Sequence, residues 1–167
     1  MSHVWRVALI AAAIGALPAC GGSDAGTDAT APPAGDAASP KEYVALLKRH
    51  YTPVHDRFIE TIEPCLERQW KTCDEAAAPV HQAAQTFLQE MEGVTPPDEV
   101  KTEDAQLRKG VSALEDAIAA QHEAIAAKDG EAFDESVDTV TVAIADTDSA
   151  VHGINATYPS AELPTVH

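Results

Sequence analysis

The sequence predicts an all-α protein, an antiparallel up-down-up-down four-helix bundle that follows a signal peptide and a disordered tether. Three observations carry this expectation. Apolar residues recur at steps of three and four in four successive stretches between Pro40 and Tyr158, the period of a helix with one buried face. Capping residues, glycines and prolines punctuate those stretches. No strand-like alternation of useful length interrupts them, and four amphipathic helices with short connections pack most simply as an up-down bundle.

The first helix opens at Ser39-Pro40-Lys41-Glu42, with Ser39 as N-cap, Pro40 at the first helical position and Glu42 completing a capping box. Its stripe is Val44, Leu47, Tyr51, Val54, Phe58 and Ile62. Pro53 predicts a kink within it, and Pro64 closes it. Cys65 to Lys71 forms a corner, with Trp70 as a lid on the end of the core. Thr72-Cys73-Asp74-Glu75 reads as a second capping box. The helix it opens carries Ala76, Val80, Ala84, Phe87, Met91 and Val94 on one face, has Pro79 inside it, and stops at Gly93 and Pro96-Pro97.

Thr95-Pro96-Pro97-Asp98 caps the third helix, expected to be the longest, with the stripe Val100, Leu107, Val111, Leu114, Ile118, His122 and Ile125. Lys128-Asp129-Gly130 turns the chain into the fourth, whose stripe is Phe133, Val137, Val140, Ile144, Thr147, Val151 and Ile154. The bundle thus spans 40–158, and 159–167, with Pro164, form an extended tail.

Ahead of the bundle, an apolar run from Val7 to Ala16 stands behind Arg6. It is too short to span a bilayer and has the length of a secretory hydrophobic region. It ends in Leu17-Pro18-Ala19-Cys20 followed by Gly21-Gly22. This leader, residues 1–19 with Cys20, resembles a bacterial lipoprotein signal. The resemblance implies that the Cys20 thiol takes a diacylglycerol and that cleavage leaves Cys20 as the first residue. One acyl chain holds a protein marginally, whereas two or more anchor it stably. The resemblance therefore implies a lipid-anchored protein at a cell membrane or outer membrane, with its domain facing the periplasm or the exterior. Gly21 is closer to the family's outer-membrane pattern. Residues 20–39 comprise the lipidated cysteine and a flexible tether, with no aromatic and no aliphatic residue larger than alanine from 21 to 39. Such a segment would hold the domain about 24 Å from its anchor on average.

About 147 residues remain after cleavage, enough for one domain with a sizeable core. The chain carries 27 acidic residues against 11 lysines and arginines, a formal net charge of −16. That field repels phosphate backbones and anionic headgroups, so nucleic acid is excluded as a partner and membrane contact falls to the acyl chains.

There are three cysteines. With Cys20 lipidated, Cys65 and Cys73 are the only available pair, and an oxidising compartment favours joining them. Eight residues apart on one unbroken helix they would lie about 12 Å from each other, beyond the roughly 4.4 to 6.8 Å between Cα atoms that a disulfide needs. A bond therefore requires the chain to bend between them; two separate thiols would leave the corner unclamped.

The chain contains no Ser-His-Asp order, Gly-rich phosphate loop, C-x-x-C-H, H-E-x-x-H or Glu-x-x-His pair, so neither an enzyme nor a resident cofactor is expected. One constellation remains. Counted along the helices from the end where the two corners meet, His55, His81 and His122 fall at one level, with Asp134 and Asp138 nearby on the fourth helix. Imidazoles plus a carboxylate form the ligand set of Zn or Cu sites in bundle cores. Of the three histidines only His122 lies on an apolar stripe, and solvent-facing or singly hydrogen-bonded histidines are the alternative. Two functional expectations follow. One is a non-catalytic envelope lipoprotein that binds an unidentified envelope protein partner or plays a structural role. The other is a bundle that binds a divalent transition metal.

Overall fold

The structure, a computed structural model, describes residues 37–166. The expected leader, Cys20 and the tether up to residue 36 lie outside the described residues. Four helices follow in order: α1 (Pro40–Leu66), α2 (Trp70–Met91), α3 (Lys101–Ala127) and α4 (Gly130–Thr157), with a 3-10 turn (Asp98–Val100) leading into α3. They form the expected up-down-up-down arrangement, each packed on its neighbour in sequence. None of the described helices is long and apolar enough to cross a membrane.

α1 begins as its sequence dictates. The Glu42 N–H donates to Ser39 Oγ (3.4 Å), and the Ser39 N–H and hydroxyl both donate to Glu42 Oε2 (3.1 and 2.6 Å). These two donors hold the Glu42 carboxyl below the usual carboxylate range. Ala38 is buried and donates its N–H to Thr95 O (2.9 Å), so the last residues of the expected tether are docked on the bundle.

α1 runs through Pro53 and also through Pro64, which was expected to end it. A proline removes its own N–H donor and crowds the carbonyl four residues before it but leaves its own carbonyl free, and the Pro64 carbonyl accepts from the Gln69 N–H (2.9 Å) while Cys65 O accepts from the Arg68 N–H (3.1 Å). That pair of bonds closes the helix as a Schellman motif with Arg68 in the left-handed region at φ 53°. α2 then starts at Trp70, not after Thr72: Gln69 O accepts from the Cys73 N–H (2.8 Å), so the expected capping box lies inside the first turn. Of the 28, 27 and 27 residues in α4, α1 and α3, the longest run belongs to α4 and not to α3.

The stripes meet in one core containing Leu47, Tyr51, Val54, Phe87, Met91, Leu107, Leu114 and Ile154. In α2 it is Ala77, not Ala76, that faces inward. α3 and α4 come close at Gly110, where an added Cβ would stand 2.4 Å from Thr147 Oγ1 and 3.1 Å from the Thr147 nitrogen, so only glycine permits this approach. α1 and α4, by contrast, scarcely meet along their backbones.

Part of that seam is filled by the C-terminal tail, which runs back between them. Ala161 and Leu163 are buried, and Asn155 holds Leu163 by both backbone groups, each at 2.9 Å. Lys48 donates to Ser160 O (3.0 Å), and the Val166 N–H reaches both Asp148 oxygens at 3.2 Å. The residues expected to form an extended tail are thus also a fifth packed segment.

Candidate functional site: the disulfide end and the open seam

Cys65 and Cys73 are bonded, with Cα atoms 4.7 Å apart, because the turn at Glu67–Gln69 brings the last turn of α1 over the first turn of α2. Trp70 stacks on Phe133 of α4 with ring centroids 5.9 Å apart. Cys65, Cys73, Ala124 and Phe133 make a small second core that closes this end.

His55, His81, His122, Asp134 and Asp138 do not assemble into the expected metal site, and no three His, Cys, Asp or Glu side chains among the described residues are grouped to hold an ion. His55 faces the tail: its Nε2 lies 3.1 Å from Thr165 O, a pure acceptor, so the ring must carry hydrogen there, and its Nδ1 lies 3.0 Å from Asp56 Oδ1. His81 and His122 do share the outer groove between α2 and α3. Each is paired separately, His81 Nε2 with Glu115 Oε1 (3.2 Å) and His122 Nδ1 with Asp74 Oδ1 (2.6 Å). Asp134 is taken by Arg68 at 2.6 Å, and Asp138 is exposed.

His122 is turned outward because the helix steps three residues from Ile118, not four: Gln121 is buried at 4 % exposure and His122 lies on the surface. Gln121 sits against the disulfide, its Oε1 3.7 Å from Cys73 Sγ and 4.0 Å from Cys65 Sγ. Disulfide sulfurs carry no hydrogen and donate nothing, so these are contacts and not hydrogen bonds to the amide oxygen. Rotating the amide by 180° would aim its N–H at sulfur, a weak acceptor.

Gln121 also lines a cavity of about 220 Å³ in the open part of the α1–α4 seam. Its walls are Phe58 and Ile62 from α1, Ile118 from α3, and Val137, Val140 and Ile144 from α4, with Val166 at its border. Ile62, Val137 and Ile144, all stripe residues, are incompletely buried where α1 and α4 stand apart. Among the described residues no ionisable side chain lines the cavity. Its two hydroxyls are already spent on helix carbonyls, Thr61 on Phe58 O (2.7 Å) and Thr141 on Val137 O (2.9 Å). No protein-family model matches the chain, and neither the curated proteins nor the solved structures give a match.

Proposed function

We propose that the chain is a non-catalytic envelope lipoprotein: a helical binding domain held at a membrane by acyl chains on Cys20 and acting in the periplasm or at the cell exterior. The observation that carries the anchor is the Leu17-Pro18-Ala19-Cys20-Gly21 sequence behind a short apolar run. The Cys65–Cys73 disulfide is in keeping with an exported domain. A binding role is supported by the cavity, whose described lining residues offer a neutral apolar surface. Expression of the full chain in a bacterial host fed labelled palmitate tests the anchor. The wild type is expected to carry label and sediment with membranes, and Cys20→Ser to lose both. Unlabelled wild-type protein in the soluble fraction would overturn the reading.

A further inference from the structure

We infer that the α1–α4 cavity is a binding site for a compact, neutral bicyclic molecule bearing one hydrogen-bonding group, and that Gln121 is the residue that recognises that group. This deepens the proposal that the domain acts by binding. Three observations fix the ligand's chemistry. An apolar cavity of 150 Å³ accommodates benzene, so one of about 220 Å³ has room for a second fused ring.

None of the described residues that line the cavity is ionisable, and the chain carries a net charge of −16, which disfavours a carboxylate or phosphate, since an anion would lose its hydration without gaining a counter-charge from them. Gln121 is buried, yet its contacts are the two sulfurs of a disulfide. A primary amide has two donors and an acceptor to satisfy, and among the described residues of the cavity wall Gln121 is the side chain whose polar group is not committed to a helix carbonyl. A hydroxyl or ring N–H on the ligand meets it, while the rings lie against Phe58, Ile62, Val140 and Ile144.

The test uses the full chain carrying Cys20→Ser, with the disulfide intact, titrated calorimetrically with 2-naphthol and with 2-methylnaphthalene, which replaces the hydroxyl by a methyl group. Saturable binding is expected for both, with 2-naphthol tighter by about five-fold, the worth of one neutral hydrogen bond. Gln121→Leu should erase that preference while keeping affinity for 2-methylnaphthalene. Ile144→Trp and Ile62→Trp, which fill the cavity from opposite walls at partly exposed positions that tolerate a larger side chain, should each weaken both ligands at least ten-fold. The site is refuted by no saturable binding up to about 1 mM, by equal affinity of the two compounds for the parent chain, or by unchanged affinity in both tryptophan variants. None of these outcomes bears on the palmitate experiment, so failure of the ligand and failure of the anchor are separable.

Discussion

At one end of the bundle the chain is clamped by a covalent bond, Cys65 to Cys73; at the other, by a buried carboxylate. Asp104 accepts from the Tyr43 hydroxyl (2.8 Å) and from Arg108 Nε (2.7 Å), and Arg108 also donates to the carbonyls of Met91 and Val94. Four segments are thereby tied at one point: the start of α1, the end of α2, the turn after it and the start of α3. The disulfide acts mainly on the unfolded chain by closing a loop. The Asp104 network acts on the folded state, because its groups were taken out of water and are compensated only by one another. The two ends should therefore fail under different reagents and by different amounts.

The largest effect is expected from Asp104→Ala. It strips the partly buried Arg108 guanidinium of its counter-charge, leaving it only the Met91 and Val94 carbonyls, and takes the acceptor from the buried Tyr43 hydroxyl, a loss of about 3 kcal/mol or more. Urea denaturation of the oxidised domain measures it, and a change under about 1 kcal/mol would show that water replaces the carboxylate. Replacing both Cys65 and Cys73 by serine should cost less, about 2 to 3 kcal/mol for so short a loop. The Asp104 network should survive that change, so far-UV circular dichroism is expected to keep its helical signal at low urea.

Alkaline pH attacks the polar end and spares the disulfide end. Burial, then the charge of Asp104 and the hydrogen bond to it, raise the Tyr43 pKa far above its ordinary value. Burial and the charge of Asp148 do the same for Tyr51, further along α1. The folded protein keeps both protons where the unfolded chain releases them. Their contribution to stability is therefore complete below about pH 10 and is lost as pH rises above it, at about 1.4 kcal/mol per pH unit for each tyrosine. Melting temperatures at rising pH should begin to fall near that value, and Tyr51→Phe should flatten the slope. An equal slope in the variant would remove Tyr51 from the account.

The contrast between the ends also marks what was legible in the sequence. The disulfide end could be read because cysteines are counted and spaced, and the helices could be read because their stripes have a period. The polar end left one mark: the third stripe skips from Val100 to Leu107, and the residue at the missing inward step is Asp104, one turn before Arg108. An acid in a stripe is a buried network waiting for partners, but nothing local says that Tyr43 supplies one. His122 and Gln121 show a different failure. Steps of three and four are both helical, so the stripe alone could not choose which of two neighbours faces inward, and the metal constellation rested on the wrong one. The tail was illegible for a third reason. Its burial has no period, and Asn155, which holds it, looks in sequence like any exposed polar residue near a helix end.

The smallest prediction concerns the two turns at the disulfide end, which use the same device. Arg68 and Lys128 both hold the left-handed conformation, at φ 53° and 57°, where an L-residue is strained by about 1 kcal/mol or more and glycine is not. Lys128 ends α3 in the same manner as Arg68 ends α1, with the Asp129 N–H bonded to Ala124 O (2.9 Å) and its own N–H to Ile125 O (3.1 Å). Arg68, however, also bridges to Asp134 on α4 at 2.6 Å from an exposed position, an interaction worth between about 0 and 1 kcal/mol. Lys128→Gly should therefore stabilise the domain by about 0.5 to 1 kcal/mol, after the greater freedom glycine gives the unfolded chain is subtracted. Arg68→Gly gains the same relief and loses the bridge, so it should come out near neutral. Paired thermal melts at low and high salt separate the two terms: screening weakens the Arg68–Asp134 pair, so the difference between the two glycine variants should shrink as salt rises. A difference that does not respond to salt would mean the bridge is not what separates the turns.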